Sequence, residues 1–334
     1  MSSKIEWTNE TWNPITGCTP VSEGCQRCYA KRMAQRLAGR FGYPKRPDEF
    51  KVTLHGDKIN QPLKWRKPRM VFVCSMGDLF HEDVPDGLID MVFTVMAVLN
   101  QHTFQVLTKR PERMNKFLED ARWREVGNPG SPDVWSFGDT WPFENAREQY
   151  REKYKCELPF PEWPLSNVWL GITAENQQRW DERVPILLDT PAAVRFVSCE
   201  PMLSPVVMPK YIRLPHPVVS EIPIGPRVGA GPGIHKVYLN PRGARSVMST
   251  MPVGAEPKML GIKPDECEDL GLGINWLICG GETGPGARPM HPDWARSLRD
   301  QTRQAGVPFF MKQMSRKEPI PDDLMIREYP TIGR

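Results

Sequence analysis

The chain has few of the features that mark a membrane protein, a secreted protein or a protein held by disulfides. No apolar run reaches the length of a membrane span, and the nearest approach, residues 88–99, is typical of a buried helix. Residues 1–12 are polar and lack the apolar segment of a secretory signal. Eight cysteines in 334 residues are too sparse for a disulfide framework, and five of them are scattered singly. We therefore expect a globular protein of a reducing cytoplasm, with one large domain or two small ones.

The chain also has little excess of one charge over the other. The net charge is +4, which does not by itself indicate a nucleic-acid-binding protein. Two segments, residues 31–69 and 109–124, are nevertheless dense in Lys and Arg. Such segments are either solvated faces or surfaces that bind phosphate, and composition alone leaves both open.

Three cysteines near the N-terminus, Cys18, Cys25 and Cys28, are spaced C-x6-C-x2-C. Three thiolates are one ligand short of a closed structural zinc site. They are enough to hold three irons of a four-iron cluster and leave the fourth iron open to another ligand. Zinc remains an alternative if a distant His or Cys completes the site, whereas a thioredoxin-like pair lacks the strand-then-helix context. Apolar residues at helical spacing predict a helix that begins close to Cys28, so its positive dipole end would lie near the thiolates.

Short apolar runs alternate with helical patterns along the rest of the chain. The predicted strands are 12–16, 70–75, 103–108, 167–173, 195–199, 275–279 and 307–311. The predicted helices include 86–100, one that begins at Pro111, one that follows Asn176, and 292–305. This alternation is typical of a parallel sheet built from βαβ units, and six or seven repeats favour a barrel or partial barrel.

Polar or glycine-rich residues follow nearly every predicted strand. In parallel barrels the carboxyl ends of the strands carry the catalytic residues, so these side chains would gather on one rim. They are the cysteine triplet, Ser75 and Asp78, Thr108 and Lys109, Thr173 and Glu175, Glu200, and Gly280 and Glu282. Polar residues commonly follow strands for structural reasons alone. That explains any one of these residues, but it explains less easily why nearly every strand ends in one.

Two long segments interrupt the repeat. Residues 122–166 are rich in Trp, Pro and charge, with a short helix expected around 144–154, and residues 202–273 are rich in Pro, Gly and Met. Loops of this length are usually lids or binding loops, or else surface additions without a fixed structure. The predicted organisation is a barrel over residues 1–316 with both insertions, followed by a tail over 317–334.

Six motifs stand in the cysteine segment and at the strand ends. They are the triplet with Tyr29-Ala30, Ser75-Met76-Gly77-Asp78, Leu107-Thr108-Lys109-Arg110, Gly171-Ile172-Thr173-Ala174-Glu175-Asn176, Ser198-Cys199-Glu200-Pro201 and Gly280-Gly281-Glu282-Thr283-Gly284. Together they resemble the phage three-cysteine-motif proteins, which are relatives of the radical S-adenosylmethionine (SAM) enzymes. The resemblance covers roughly residues 1–120, 166–201 and 274–316 and excludes the two insertions. The first gap of the triplet is longer than in the commonest radical SAM motif, C-x3-C-x2-C.

The resemblance implies an α/β fold, a partial (β/α)6 TIM-like barrel of the radical SAM type. It also implies a [4Fe-4S] cluster on Cys18, Cys25 and Cys28, with SAM on the open iron as the source of a 5′-deoxyadenosyl radical. On the same basis Asp78 would accept from the SAM ammonium, Thr173 and Glu175 would bind the ribose, and Lys109 would pair with the carboxylate. Further cofactor-binding candidates are Ser75, Gly77, Thr108, Asn176, Gly280 and Glu282. The catalytic candidates are Glu200, Lys109 and Cys199.

The substrate implied by the resemblance is DNA or a nucleotide. The enzyme would rearrange or modify a thymine-derived base of phage DNA in the host cytoplasm, for example as an isomerase. A base in a duplex would have to be flipped into the barrel mouth. A flavodoxin or ferredoxin would be the electron donor. Three alternatives remain: a photoproduct lyase that uses Cys199 or Cys279 as hydrogen donor, a radical SAM enzyme for a peptide or small metabolite, and a zinc-stabilised nucleic-acid-binding module without catalysis.

Overall fold

The computed structural model describes residues 5–120, 164–214, 236–239, 247–251, 268–271 and 273–331. The first predicted insertion and its expected helix at 144–154 lie almost entirely outside the described residues.

Strands and helices alternate through most of the described chain. The strands are β1 (Glu10–Trp12), β2 (Ile15–Thr16), β3 (Thr53–Leu54), β4 (Met70–Val73), β5 (Thr103–Thr108), β6 (Val168–Thr173), β7 (Val194–Cys199), β8 (Lys210–Leu214), β9 (Lys236–Leu239), β10 (Val247–Met251), β11 (Glu268–Gly271), β12 (Trp276–Gly280) and β13 (Phe309–Gln313). The helices are α1 (Tyr29–Leu37), α2 (Gly56–Ile59), α3 (Asp86–Val98), α4 (Pro111–Asp120), α5 (Gln177–Asp189) and α6 (Pro292–Gln304). In this part of the chain no helix is both long and apolar enough to cross a membrane.

Seven parallel strands form the main sheet, in the order β1-β4-β5-β6-β7-β12-β13. The spatial order follows the chain order, so successive crossovers step in the same direction across the sheet. Because such crossovers are right-handed, their helices lie on one face, and the sheet curls into a half-barrel with the helices outside. The predicted α/β partial barrel is confirmed, with β1 as a seventh strand at one edge.

The two faces of the sheet carry different cores, because successive side chains of a strand point to opposite sides. The outer face packs against the helices through aliphatic residues such as Val71, Val106 and Leu170. The inner face is filled at the amino ends of the strands by an aromatic cluster. We call this cluster the aromatic floor; it consists of Trp7, Trp169, Val194, Phe196, Trp276, Ile278 and Phe310.

Strands also occur inside the second predicted insertion. The strands β8 to β11 form an antiparallel sheet in the order β11-β8-β10-β9. For residues 202–273 the sequence predicts a lid, a binding loop or a surface addition, and no strand there is among the predicted elements. Its role as a lid stays a prediction.

The C-terminal segment packs against the main sheet. Arg327 forms a backbone bridge with Phe310, and the indole N–H of Trp276 donates to the carbonyl of Glu328 at 2.8 Å. The ring of Tyr329 stacks near that of Trp276, with centroids 5.3 Å apart. The segment predicted as a tail therefore covers one side of the half-barrel.

Candidate active site at the carboxyl edge of the half-barrel

A cavity of about 530 Å³ opens at the carboxyl ends of the main strands. Its apolar base includes Trp7, Phe72 and Leu107, the first of which belongs to the aromatic floor. One wall is the segment that joins β2 to α1, residues 17–28, which we call the cysteine loop. The cavity is therefore apolar at its base and polar at its rim, as ligand pockets commonly are.

All three thiols of the triplet line this cavity. Cys18, Cys25 and Cys28 are partly exposed, and Cys28 directly precedes the first turn of α1, as the helix prediction required. Within the described residues, no three His, Cys, Asp or Glu side chains are already grouped around one point as metal ligands. Three cysteine side chains that line one cavity fit a group held by three thiolates. Their sulfur atoms are not arranged around a common centre.

Two glycines bring the cysteine loop against the strand ends. Gly17 has φ +86° and forms a parallel bridge with Gly77, and a Cβ on Gly17 would stand 2.1 Å from the carbonyl oxygen of Lys51. A Cβ on Gly77 would stand 2.9 Å from the carbonyl oxygen of Gly17. Gly77, a cofactor-binding candidate, thus has a packing role: it lets the loop approach β4.

Arg110 connects the loop to the buried carboxylate of Asp78. Its guanidinium lies 3.3 Å from Cys18 Sγ and 3.3 Å from Asp78 Oδ2, and it donates to the carbonyl and hydroxyl of Thr19 at 3.1 and 2.9 Å. Asp78 also accepts from the Thr108 hydroxyl at 2.7 Å and from the backbone N–H of Lys109 at 3.1 Å. Both carboxylate oxygens of Asp78 are therefore engaged by the protein.

The Cys18 thiol has a raised pKa in this arrangement. Burial, and next the nearby Asp78 carboxylate, raise the pKa of the thiol to about 12, against the opposing effect of Arg110. The thiol donates to the carbonyl oxygen of Thr19 at 3.3 Å.

Glu175 anchors the middle of the cysteine loop. Its side chain is fully buried, and its oxygens lie 2.9 Å from Lys109 Nζ and 2.9 Å from Arg183 Nη1. Ser22 of the loop donates to the same carboxylate, and a Cβ on Gly24 would stand 2.4 Å from Glu175 Oε1. Burial alone would raise the pKa of Glu175, but the Lys109 and Arg183 cations outweigh it and hold that pKa below the ordinary value.

Glu282 anchors the end of the loop. It accepts from the backbone N–H and guanidinium of Arg288 at 2.8 and 2.6 Å, and from Arg27 of the loop at 3.3 Å. Arg288 in turn donates to the carbonyl of Glu23 at 3.1 Å. Burial alone would raise the pKa of Glu282. The hydrogen bonds and the charge of Arg288 together outweigh that effect and hold the pKa below its ordinary value, so the carboxyl group stays ionised. The loop is thus held by ionic contacts from several strand ends before any ligand binds.

Another part of the cavity wall carries a second polar group. Glu200 forms an ion pair with Lys312 Nζ and accepts from Gln313 Nε2 at 3.2 Å. Ser198 and Thr173 line the same space from the inner face of the sheet. A carboxylate, an ammonium and two hydroxyls therefore face the same cavity as the cysteines.

Most of the candidate residues predicted from the sequence meet at this cavity. Those that line it are Cys18, Cys25, Cys28, Ser75, Gly77, Asp78, Thr108, Lys109, Thr173, Glu200 and Glu282. Glu175 lies directly behind the cysteine loop, and Gly280 lies beneath Glu200, with a Cβ position 3.4 Å from Glu200 Cδ.

Two candidates lie elsewhere. Cys199 is fully buried in the helix-side core, and burial raises the pKa of its thiol. Cys279 packs in the same core, so neither of these thiols faces the cavity, whereas Cys74 lines it. Asn176 caps α5, accepting from the backbone N–H of Arg179 at 2.9 Å. The structure thus gives Cys199 and Asn176 packing and capping roles.

Sequence reasoning missed several residues that build the site. The sequence singles out Arg110 only within the Leu107–Arg110 motif, and Arg183, Arg288 and Lys312 are not among its candidates. The local sequence of Arg183 gives no signal, because its partner Glu175 lies outside its helix. Arg288 lies six residues after Glu282 in the same connection, but no sequence pattern marks that pair. Lys312 and Gln313 could have been found, since they follow the last predicted strand at the same rim.

Comparison with known proteins places the chain in a family. Residues 2–323 match the model of the family described as "Protein of unknown function (DUF5131)", and the chain belongs to that family. No curated protein matches the chain. Two solved structures of spore photoproduct lyase mutants are similar to it. One, a Cys-to-Ser mutant, is 13% identical with a TM-score of 0.35, covering 93% of this chain and 78% of that chain. The other, a double mutant with bound AdoMet and dinucleoside spore photoproduct, is 12% identical with a TM-score of 0.34, covering 91% and 76%.

Proposed function

We propose that this member of the DUF5131 family is a radical SAM enzyme that modifies a thymine-derived base in DNA. The observation that carries the proposal is that Cys18, Cys25 and Cys28 open into one cavity at the carboxyl edge of the half-barrel. Three thiolates hold a [4Fe-4S] cluster while one iron stays open. When bound, the cluster and SAM would supply a 5′-deoxyadenosyl radical that abstracts a hydrogen atom from the substrate.

The chain's own contribution begins with the cysteine loop. Contacts from Arg110, Glu175 and Arg288 fix the loop against the strand ends. Ligands that are held in advance by a second layer of hydrogen bonds bind a metal group with defined geometry. We assign these three residues to positioning the cysteines rather than to contact with substrate.

The base of the cavity keeps water away from the reaction. Trp7, Phe72 and Leu107 present an apolar surface to the cavity, and Trp7 is itself almost fully buried. A carbon radical reacts with whatever lies nearest, so a closed and apolar base favours transfer from the intended substrate atom.

The polar wall would bind and orient the ligands. The ammonium of Lys312 and the carboxylate of Glu200 are a complementary pair for an amino-acid group or a base, and the hydroxyls of Thr173 and Ser198 suit a ribose. Asp78 and Glu175, for which the sequence suggested direct cofactor contacts, have oxygens engaged by the protein. Their proposed role is to shape the cavity.

The first experiment measures cluster formation. The full-length protein would be purified and reconstituted without oxygen, and its iron, sulfide and zinc contents measured, followed by SAM cleavage to 5′-deoxyadenosine with a chemical reductant. We expect about four irons per chain, with the iron lost in C18A, C25A and C28A. The buried C279A variant is the matched control and should keep its iron. A colourless protein with one zinc and no iron would instead indicate a zinc-stabilised binding module.

The second experiment identifies the substrate by mass spectrometry of nucleosides from DNA treated with the reconstituted enzyme, SAM and a flavodoxin or ferredoxin. A new isomer of a thymine-derived nucleoside would support the isomerase. Loss of pyrimidine photoproducts from irradiated DNA would indicate a lyase. Formation of 5′-deoxyadenosine without any change in DNA would contradict a DNA substrate and direct attention to peptides or small metabolites.

A further inference from the structure

Phe41 is the most exposed large apolar residue in the described part of the chain. Its side chain is 76% exposed, although a phenylalanine gains by burial. Its backbone has φ 51°, in the left-handed region that a bulky residue seldom adopts. Both features place an aromatic ring in solvent at a backbone position that would suit glycine, which points to a purpose other than packing.

The loop that carries Phe41 is held firmly. The N–H of Gly39 donates to the carbonyl of Pro44 at 3.0 Å, and the N–H of Tyr43 donates to the carbonyl of Arg40 at 2.9 Å. Gly42 lies so close to the His55 ring that a Cβ would stand 2.9 Å from it. The ring is therefore presented by a braced turn, which lowers the entropy lost when it contacts a partner.

The surface around this turn is strongly basic. Residues 31–69 hold twelve Lys and Arg against three Asp and Glu, in a chain whose net charge is only +4. Lys45 lies beside Gly39, Lys58 Nζ lies 3.4 Å from the Phe41 carbonyl oxygen, and Arg46 donates to the carbonyl of Gln35 at 3.3 Å. Among the acids, Asp48 is already paired with Lys51. An exposed aromatic ring among cations fits a strand of nucleic acid better than an apolar protein face.

This surface leads to the cavity. Tyr29, at the start of α1, lines the cavity and is 52% exposed, and Phe41 lies just beyond the end of the same helix. A helix of nine residues spans about 14 Å, close to the length of four base steps at about 3.4 Å each. A strand whose base enters the cavity can therefore reach the Phe41 turn within a few nucleotides.

We propose that the Phe41 turn and its neighbouring cations form a binding surface for single-stranded DNA, with phosphates on Arg40 and Lys45 and a base stacked on Phe41. The inference rests on the proposed DNA substrate and names the surface that delivers it. It requires neither cluster nor SAM, so the two proposals can fail separately.

The test is fluorescence anisotropy of a labelled single-stranded DNA oligonucleotide with the full-length protein at several salt concentrations. We expect F41A to weaken binding about 5- to 100-fold, and F41W to restore it, because any base can stack on an aromatic face. The variant R40A/K45A should lower the slope of log affinity against log salt by about 1.4. The controls M325A, at another exposed apolar residue, and R303A, at an exposed arginine of α6 outside both basic segments, should bind as the wild type does.

The opposite results would overturn the inference. Equal affinity of the wild type, F41A and F41W would remove the stacking role. A change in sedimentation coefficient of F41A without a change in DNA affinity would show that the turn binds a second copy of the chain. SAM cleavage without DNA should be the same in F41A and the wild type, so a loss of cleavage would mean that the substitution disturbs the fold.

Discussion

Replacing Glu175 by glutamine should destabilise the protein by about 3 kcal/mol, because it removes the charge from a buried ionic group. The side chain is fully buried and pairs with Lys109 and Arg183, each 2.9 Å away. The substitution keeps the shape and one hydrogen-bond acceptor, so the expected loss is mainly electrostatic.

The magnitude follows from the two ion pairs. At 2.9 Å and an effective dielectric constant of about 20, each attraction is about 6 kcal/mol before desolvation. Desolvation offsets most of this gain, and removing one member of a buried pair typically costs about 3–5 kcal/mol. The side chain of Lys109 is 20% exposed and can be rehydrated, whereas that of Arg183 is 5% exposed and cannot. The lower end of the range is therefore expected.

The assay is urea unfolding followed by tryptophan fluorescence, which gives the free energy of unfolding of each variant. E182Q is the matched control: Glu182 pairs with Arg179 at 2.6 Å, but its side chain is 43% exposed, so the loss should stay within about 1 kcal/mol. The double variant E175Q/K109M should lose less than the sum of the single losses, because Lys109 is no longer left unpaired. A loss below about 1 kcal/mol in E175Q would refute the view that this group is shielded from water.

Three other predictions concern the loop, the cap and pH. G24A would place a Cβ 2.4 Å from a buried carboxylate oxygen, so it should destabilise the protein by about 1–3 kcal/mol and lower its iron content on reconstitution. G87A is the comparison: its Cβ meets nothing within 4 Å in α3, so it should stabilise the protein by about 0.5–1 kcal/mol. N176A should cost about 1 kcal/mol in urea unfolding, with recovery in N176D, whereas failure of N176D to recover would contradict the capping role. The folded pKa of Glu282 lies below its ordinary 4.5, so its contribution to stability is complete above that value and lost as pH falls through the folded pKa. The free energy of unfolding of E282Q should thus depend less on pH below about 5 than that of the wild type, and parallel curves would contradict this.

Much of the main sheet could be predicted because its strands are short apolar runs buried on both faces. The predicted strand at 103–108 has the same bounds as β5, and the predicted helix at 86–100 ends two residues beyond α3. The strand predicted at 12–16 is divided into β1 and β2, since Pro14 cannot donate to a ladder. The antiparallel sheet β8 to β11 is not among the predicted elements, because its strands are only four or five residues long and lie between Pro- and Gly-rich stretches.

The candidate site was predictable only in outline. That polar strand ends share one rim follows from parallel topology, and the cysteine triplet does line the cavity there. Which neighbour faces inward does not follow, since a shift of one residue reverses the face; Ser198 lines the cavity and Cys199 does not. Pairings such as Arg110 with Cys18 join residues 92 positions apart, and no local pattern encodes them.

The aromatic floor gives the cavity a blind end. Trp7 and its neighbours fill the half-barrel at the amino ends of the strands, so in the described part of the chain a ligand enters and leaves the cavity at the rim. Two ligands that share a cavity with one opening must bind in order: the ligand that lies deeper binds first and dissociates last. Binding and release during turnover would then be ordered, because the inner ligand cannot dissociate until the outer ligand has left.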